Sequence, residues 1–124
     1  MRFDLEPDEA RLLLSIALMA VGGNRFQSAA RIFAVLERFR PDSPSVACGK
    51  AVALMSALQF TECVRYLDEE ALKKFPSNPM LTAFRGMALK RLNRDEEAAL
   101  SLSAAASQTE DPAAAKLAGD LLVG

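Results

Sequence analysis

The strongest nucleophiles in this 124-residue chain are two cysteines, Cys48 and Cys63, and no histidine is present to activate them. A thiol attacks as its thiolate, which needs a base or a positive charge beside it. Each cysteine instead sits in an apolar stretch of helical character. The serines have no evident activating partner. Two cysteines without histidine also fall short of a zinc site or a disulfide framework, so two buried thiols are expected rather than a bridge. Glu69 and Glu70 are adjacent carboxylates, but Lys73 and Lys74 follow at i+4, which predicts paired charges on a solvated helix face. Gly22-Gly23 lacks the rest of a phosphate loop and, with Asn24, reads as a helix cap. The expectation is therefore a protein with no catalytic residue, no metal and no cofactor.

Charge points the same way. The net charge is −1 and the composition is slightly acidic, without the basic footprint of a nucleic-acid binder. The one compact basic cluster, Lys90, Arg91 and Arg94, runs at once into Asp95, Glu96 and Glu97, which reads as a solvated helix end and turn. No apolar stretch is long enough to cross a bilayer. Leu12 to Val21 is strongly apolar, but the acidic residues Asp4, Glu6, Asp8 and Glu9 precede it, whereas a secretory leader starts with positive charge. No membrane insertion and a cytoplasmic location are expected.

The elements that carry these residues are helices. Half of the residues are hydrophobic and only 6% are aromatic, with alanine and leucine dominant, which favours helix over strand. Residues 1–6 read as a short arm. Pro7-Asp8-Glu9 is a helix start, with proline in the first turn and acids near the positive end of the dipole. Apolar spacing predicts further helices over about 26–38, 45–58, 61–74, 80–92, 95–107 and 113–122. Thr61 is the expected N-cap of the fourth.

These helices repeat. Small residues recur at Ala17, Ala51 and Gly86, in steps of 34 and 35; Ala29, Cys63 and Ala98 take the same steps, as do Phe33, Leu67 and Leu102. Pro41, Pro76 and Pro112 step by 35 and 36. A period of this size marks stacked units that bury their apolar faces against one another. The expected fold is an all-α helical-hairpin solenoid in one domain, residues 1–124. Its repeats span about 8–43, 44–78 and 79–111, and a capping helix spans about 113–122.

On these residues the chain resembles the tetratricopeptide repeat (TPR) family. Ala29 and Phe33 reproduce the alanine-x3-phenylalanine signature, Pro41 the closing proline, and Ala17 the small position of the first helix. Phe26 and Phe60 match the aromatic that opens the second helix. The second repeat carries Cys63 and Leu67 in place of alanine and phenylalanine, with an extra residue before Pro76; the third restores the small residue as Gly86. The tryptophan and tyrosine of the family pattern are missing, and Lys50 and Arg85 stand where aliphatic residues are usual.

The resemblance implies that the first helix of each repeat lines a concave, partner-binding face. Its inward positions would be Arg11, Leu14, Leu18 and Val21; then Ser45, Cys48, Val52 and Met55; then Met80, Ala83, Phe84, Met87 and Lys90. The partner-binding groove is thus expected from Leu14, Leu18, Val21, Cys48, Val52, Met55, Met80, Phe84 and Met87. A carboxylate set against Leu14, Leu18, Cys48 and Val52 would lose water and gain no donor, so an amphipathic helix is the expected guest, with the methionines adapting to its apolar knobs. In length, repeat number and apolar groove the chain is similar to the small TPR chaperones of type III secretion, the YscG-like needle chaperones among them. That similarity implies a cytoplasmic chaperone, acting with a small helical co-chaperone, which holds a needle subunit's amphipathic helix and prevents premature assembly. A chaperone of translocator proteins and a structural scaffold subunit of a secretion apparatus are the alternatives. Leu12 to Val21 is apolar nearly all round, which also allows a homodimer through that helix or a core covered by the chain itself.

Overall fold

The computed structural model describes residues 5–123, and every element it contains is helical. Two compact units divide the chain between Ala57 and Leu58. The boundary falls inside the second expected repeat.

The first unit holds α1 (Pro7–Gly22), α2 (Phe26–Phe39) and α3 (Pro44–Ser56), each in contact with the other two. Its core is Ala17, Val21, Ala29, Phe33, Leu36 and Val46. Most of the arm expected over residues 1–6 lies outside the described residues, though Leu5 packs on this core. The second unit opens with α4, which runs through Phe60–Tyr66, a π-helical stretch Leu67–Ala71, and Leu72–Lys74. There follow α5 (Pro79–Arg91), α6 (Asp95–Ala106) and α7 (Pro112–Val123). Helices α5, α6 and α7 touch one another, and α4 packs on α5. Ala83, Leu102, Ala105 and Ala118 form a core cluster there, with Leu117 and Leu121 against it.

The sequence period returns in the burial pattern. All nine residues of the three apolar triplets are buried, from Ala17, Ala51 and Gly86 through Phe33, Leu67 and Leu102. It also returns in the backbone. Asn24, Leu58 and Asn93 each adopt φ 61°, 34 and 35 residues apart. The next residues, Arg25, Gln59 and Arg94, have φ between −93° and −95° and ψ between 63° and 67°. At two of these turns the Arg25 and Arg94 amides donate back to the Ala20 and Leu89 carbonyls at 2.7 and 3.0 Å, closing Schellman-type caps. The left-handed residue of the first turn is thus Asn24, while Gly22 and Gly23 are not left-handed.

Asparagine tolerates that conformation; leucine does so at a cost of about 1–2 kcal/mol. Leu58 is 70% exposed, so its side chain gains little from burial in return. Leu58→Asn is expected to raise stability by about 0.5–1 kcal/mol, read as a higher urea midpoint with an unchanged slope.

Each helix that follows an inter-repeat loop starts in one way. Ser43 Oγ, Asn78 Oδ1 and Asp111 Oδ1 accept from the amides of Val46, Leu81 and Ala114 at 3.3, 3.0 and 3.1 Å, and each precedes a proline at the first helical position. Pro112 therefore belongs with Pro44 and Pro79, not with Pro41 and Pro76. At the fourth helix the expected N-cap, Thr61, is displaced: Gln59 holds the cap position and makes no side-chain capping bond.

The extra residue of the second repeat is the π turn. The buried pairs Phe33/Leu36 and Leu102/Ala105 are three residues apart, whereas Leu67/Ala71 are four apart. Widening one turn to i→i+5 bonding absorbs the insertion and returns Ala71 to the core. Neither Glu69–Lys73 nor Glu70–Lys74 is an ion pair among the described residues.

Lys50 and Arg85, which replace aliphatic residues, are accommodated by acids on the preceding helix. Lys50 Nζ meets Glu37 Oε1 at 2.9 Å, and Arg85 Nε meets Asp68 Oδ1 at 2.6 Å. Arg85 also donates to Ser101 Oγ at 3.3 Å, and Ser101, the one buried polar side chain among the described residues, donates to the Thr82 carbonyl.

Candidate partner-binding faces

The nine residues expected to line a groove divide between the units and are taken unit by unit. In the first, α1 offers Leu14 and Leu18, and α3 offers Cys48, Val52 and Met55. Leu18 is 40% exposed, and the other four are half-buried. Leu14 packs on α3: its Cδ1 lies only 2.9 Å from the point that a Cβ on Gly49 would occupy. Val21 departs from the expectation. It is only 8% exposed and belongs to the core, because at i+4 from Ala17 it follows the same buried stripe.

In the second unit, Met80, Phe84 and Met87 along α5 are all half-buried. Two neighbours expected on the same face turn elsewhere. Ala83 is fully buried in the cluster with Leu102, and Lys90 Nζ donates to the Leu121 carbonyl in the last turn of α7. That contact satisfies an otherwise orphaned helix-end acceptor with a cation at the negative end of the dipole.

The basic cluster is likewise consumed locally. Besides Lys90, Arg91 lies over the Phe60 ring, 4.9 Å from its centroid. Arg94 makes a forked contact with the Glu97 carboxylate, at 3.0 Å from Nε and 2.7 Å from Nη2. Hydrogen bonding by Arg94 lowers the Glu97 pKa and raises that of Arg94. The sequence reading of a helix end and turn fits these contacts.

One polar feature was not visible in the sequence. Beside Leu14, a cleft of about 190 Å3 is bounded by the start of α1, the end of α2 and the start of α3, with Arg11, Arg40, Ser43 and Ser45 in its wall. Arg40 Nε is buried there without a hydrogen-bond partner, although buried donors are almost always paired. No sequence signal marks Arg40; it is a loop residue before Pro41. Leu14, Leu18, Cys48 and Val52 supply no side-chain donor suited to a carboxylate, while Arg11 and Arg40 line the cleft.

A third apolar surface also lies outside the expected nine. Leu12 is 62% exposed, Ile16 42% and Met19 75%. They sit at i, i+4 and i+7 on α1, a separate stripe from Leu14 and Leu18.

Burial pushes the Cys63 thiol up to about 12, so at neutral pH it is an uncharged core group. Among the described residues no cluster of three metal-ligating side chains is formed, and no helix is long and apolar enough to cross a membrane.

No known protein family, no curated protein and no solved structure matches this chain.

Proposed function

We propose that this chain is a protein-binding module of the TPR type that holds an amphipathic helix of a secretion subunit and so delays that subunit's self-assembly. The observation that carries the reading is the row of incompletely buried apolar side chains on the first helices of the repeats: Leu14, Leu18, Val52 and Met55 in the first unit, and Met80, Phe84 and Met87 in the second. Each unit keeps a fully buried core besides that row, so the open parts of these side chains are available without unfolding. Methionine and leucine fit varied apolar knobs, and roughly 25 cal/mol per Å2 of apolar surface removed from water would supply most of the affinity. The guest contributes its own apolar stripe, which otherwise drives it to assemble. The client in this reading, chosen by the resemblance to the small chaperones of type III secretion, is a needle-type subunit with a sticky terminal helix, and the work would be done in the cytoplasm beside a small helical co-chaperone.

The test is co-expression with such a subunit. Leu18→Glu combined with Val52→Glu puts two charges on the first unit's face, and each charge would have to be desolvated on binding. Co-purification of the client should be lost while the circular dichroism spectrum stays helical. A client that remains bound to the double variant would reject this face.

A further inference from the structure

We infer that the second apolar stripe of α1 is the seat of a two-fold homodimer, in which α1 packs antiparallel against α1 of another copy. This surface is distinct from the client face proposed above. It consists of Leu12, Ile16 and Met19, with Ser15 beside Ile16, and the described chain leaves all of these exposed.

Three observations identify the occupant as a second copy. The first is charge. Glu6, Asp8 and Glu9 mark the N-terminal end of the helix, and Arg25 follows its C-terminal end. Asp8 is one turn before Leu12 on the same stripe. Among the described residues it pairs with Arg11 at 3.7 Å, both side chains almost fully exposed, and Arg25 makes no ion pair among them. An antiparallel mate brings the acidic end of each copy to Arg25 of the other. A parallel mate would oppose acid to acid and align the two helix dipoles, so the charges select the antiparallel form.

The second is the pair of glycines at the end of the stripe. Neither Gly22 nor Gly23 has positive φ, and a Cβ at Gly22 would meet nothing within 4 Å. Gly23 is the C-cap of α1, but no internal packing calls for a glycine at position 22. With Ser15 and Ile16 at the axis, Leu12 lies over Met19 of the mate, and Asp8 and Glu9 lie over the mate's Gly22 and Gly23. The missing side chains let the carboxylates come close to the Arg25 that follows.

The third is area. A stripe of this length with its charged ends offers on the order of 400–600 Å2 per copy, within the range of the largest apolar patch on a monomer and at the small end of specific interfaces. Interfaces at this end of the size range belong to weak, reversible associations.

The full-length chain should therefore pass from monomer to dimer between about 1 and 200 µM in sedimentation equilibrium, the regime of small interfaces. Ile16→Glu sets two carboxylates face to face at the axis and should weaken association at least about tenfold, with helicity unchanged because Ile16 lies on the surface. Ser15→Cys should form a linked dimer on mild oxidation. Leu12→Cys should not, since its twin stands about 10 Å away along the helix pair. Asp8→Lys with Glu9→Lys should weaken the dimer, and adding Arg25→Glu should restore it. A wild-type monomer throughout that range overturns the inference. So does a dimer indifferent to Ile16→Glu, or equal cross-linking at positions 12 and 15. None of these readouts involves a client, so the dimer and the chaperone reading stand or fall separately.

Discussion

Phe33→Ala is expected to cost about 3–5 kcal/mol, the range for removing a buried phenylalanine, and to reverse the sign of a second substitution nearby. Phe33 is completely enclosed in the first unit. Its ring occupies a notch that Gly49 leaves open on α3: a Cβ there would lie 2.8 Å from Phe33 Cε1 and 2.9 Å from Leu14 Cδ1. Alanine at position 49 in the wild type must push both side chains aside, a cost of about 1–3 kcal/mol from overpacking. Once the ring is gone, the same methyl group enters the vacancy and adds the roughly 1 kcal/mol by which alanine exceeds glycine in a helix. Gly49→Ala should therefore destabilise the wild type and stabilise Phe33→Ala. Urea unfolding of the four proteins of this cycle, followed by circular dichroism, measures the coupling. Equal effects of Gly49→Ala in both backgrounds would show that the notch does not hold the ring.

Gly86→Ala should destabilise the second unit by about 2–3 kcal/mol, toward the upper end of overpacking costs, even though helix propensity favours the change. Here a Cβ would stand 2.6 Å from both Cγ and Cδ2 of Leu102 and 3.3 Å from the Leu102 backbone nitrogen. At Gly49 the obstructing atoms are the ends of side chains, which can rotate. At Gly86 they include the root of a side chain and the main chain of α6, so α5 and α6 must part. The damage should accordingly exceed that of Gly49→Ala, and Leu102→Ala should relieve it only in part. Thermal melts of both variants give the comparison; a loss of 1 kcal/mol lowers the midpoint by roughly 2–6 °C in a chain of this size. If Gly86→Ala raised the midpoint, the close approach of α5 and α6 at this point would be wrong.

Gly86 also shows what the amino-acid order makes legible. It is the third member of a small-residue series with Ala17 and Ala51, and all three are buried. Recurrence at a fixed step is a strong signal, because each unit must bury the same face. The caps at Ser43, Asn78 and Asp111 are legible for a related reason: an oxygen-bearing side chain followed by proline acts locally. The π turn in α4 was less accessible. The sequence betrays an extra residue before Pro76 but not whether loop or helix takes it up, and only the spacing of Leu67 and Ala71 in the core decides that. Val21 and Ala83 were misplaced because a repeat pattern assigns faces by analogy, whereas burial depends on which neighbour reaches each face. The Leu12–Ile16–Met19 stripe was missed because a helix that is apolar nearly all round does not disclose which of its sides stays open, and Arg40 because a lone arginine in a loop looks like any solvated charge.

The widened turn of α4 bears on how chains of this kind diverge. A residue gained within Leu67–Ala71 is absorbed by a local change of winding, while one gained elsewhere in the helix rotates every later side chain by about 100° and swaps inside for outside. Within this helix an added or lost residue is therefore expected to be tolerated best at those five positions, and an alignment of kindred sequences that opens its gap at Cys63 or Val64 instead would pair core residues with the wrong counterparts.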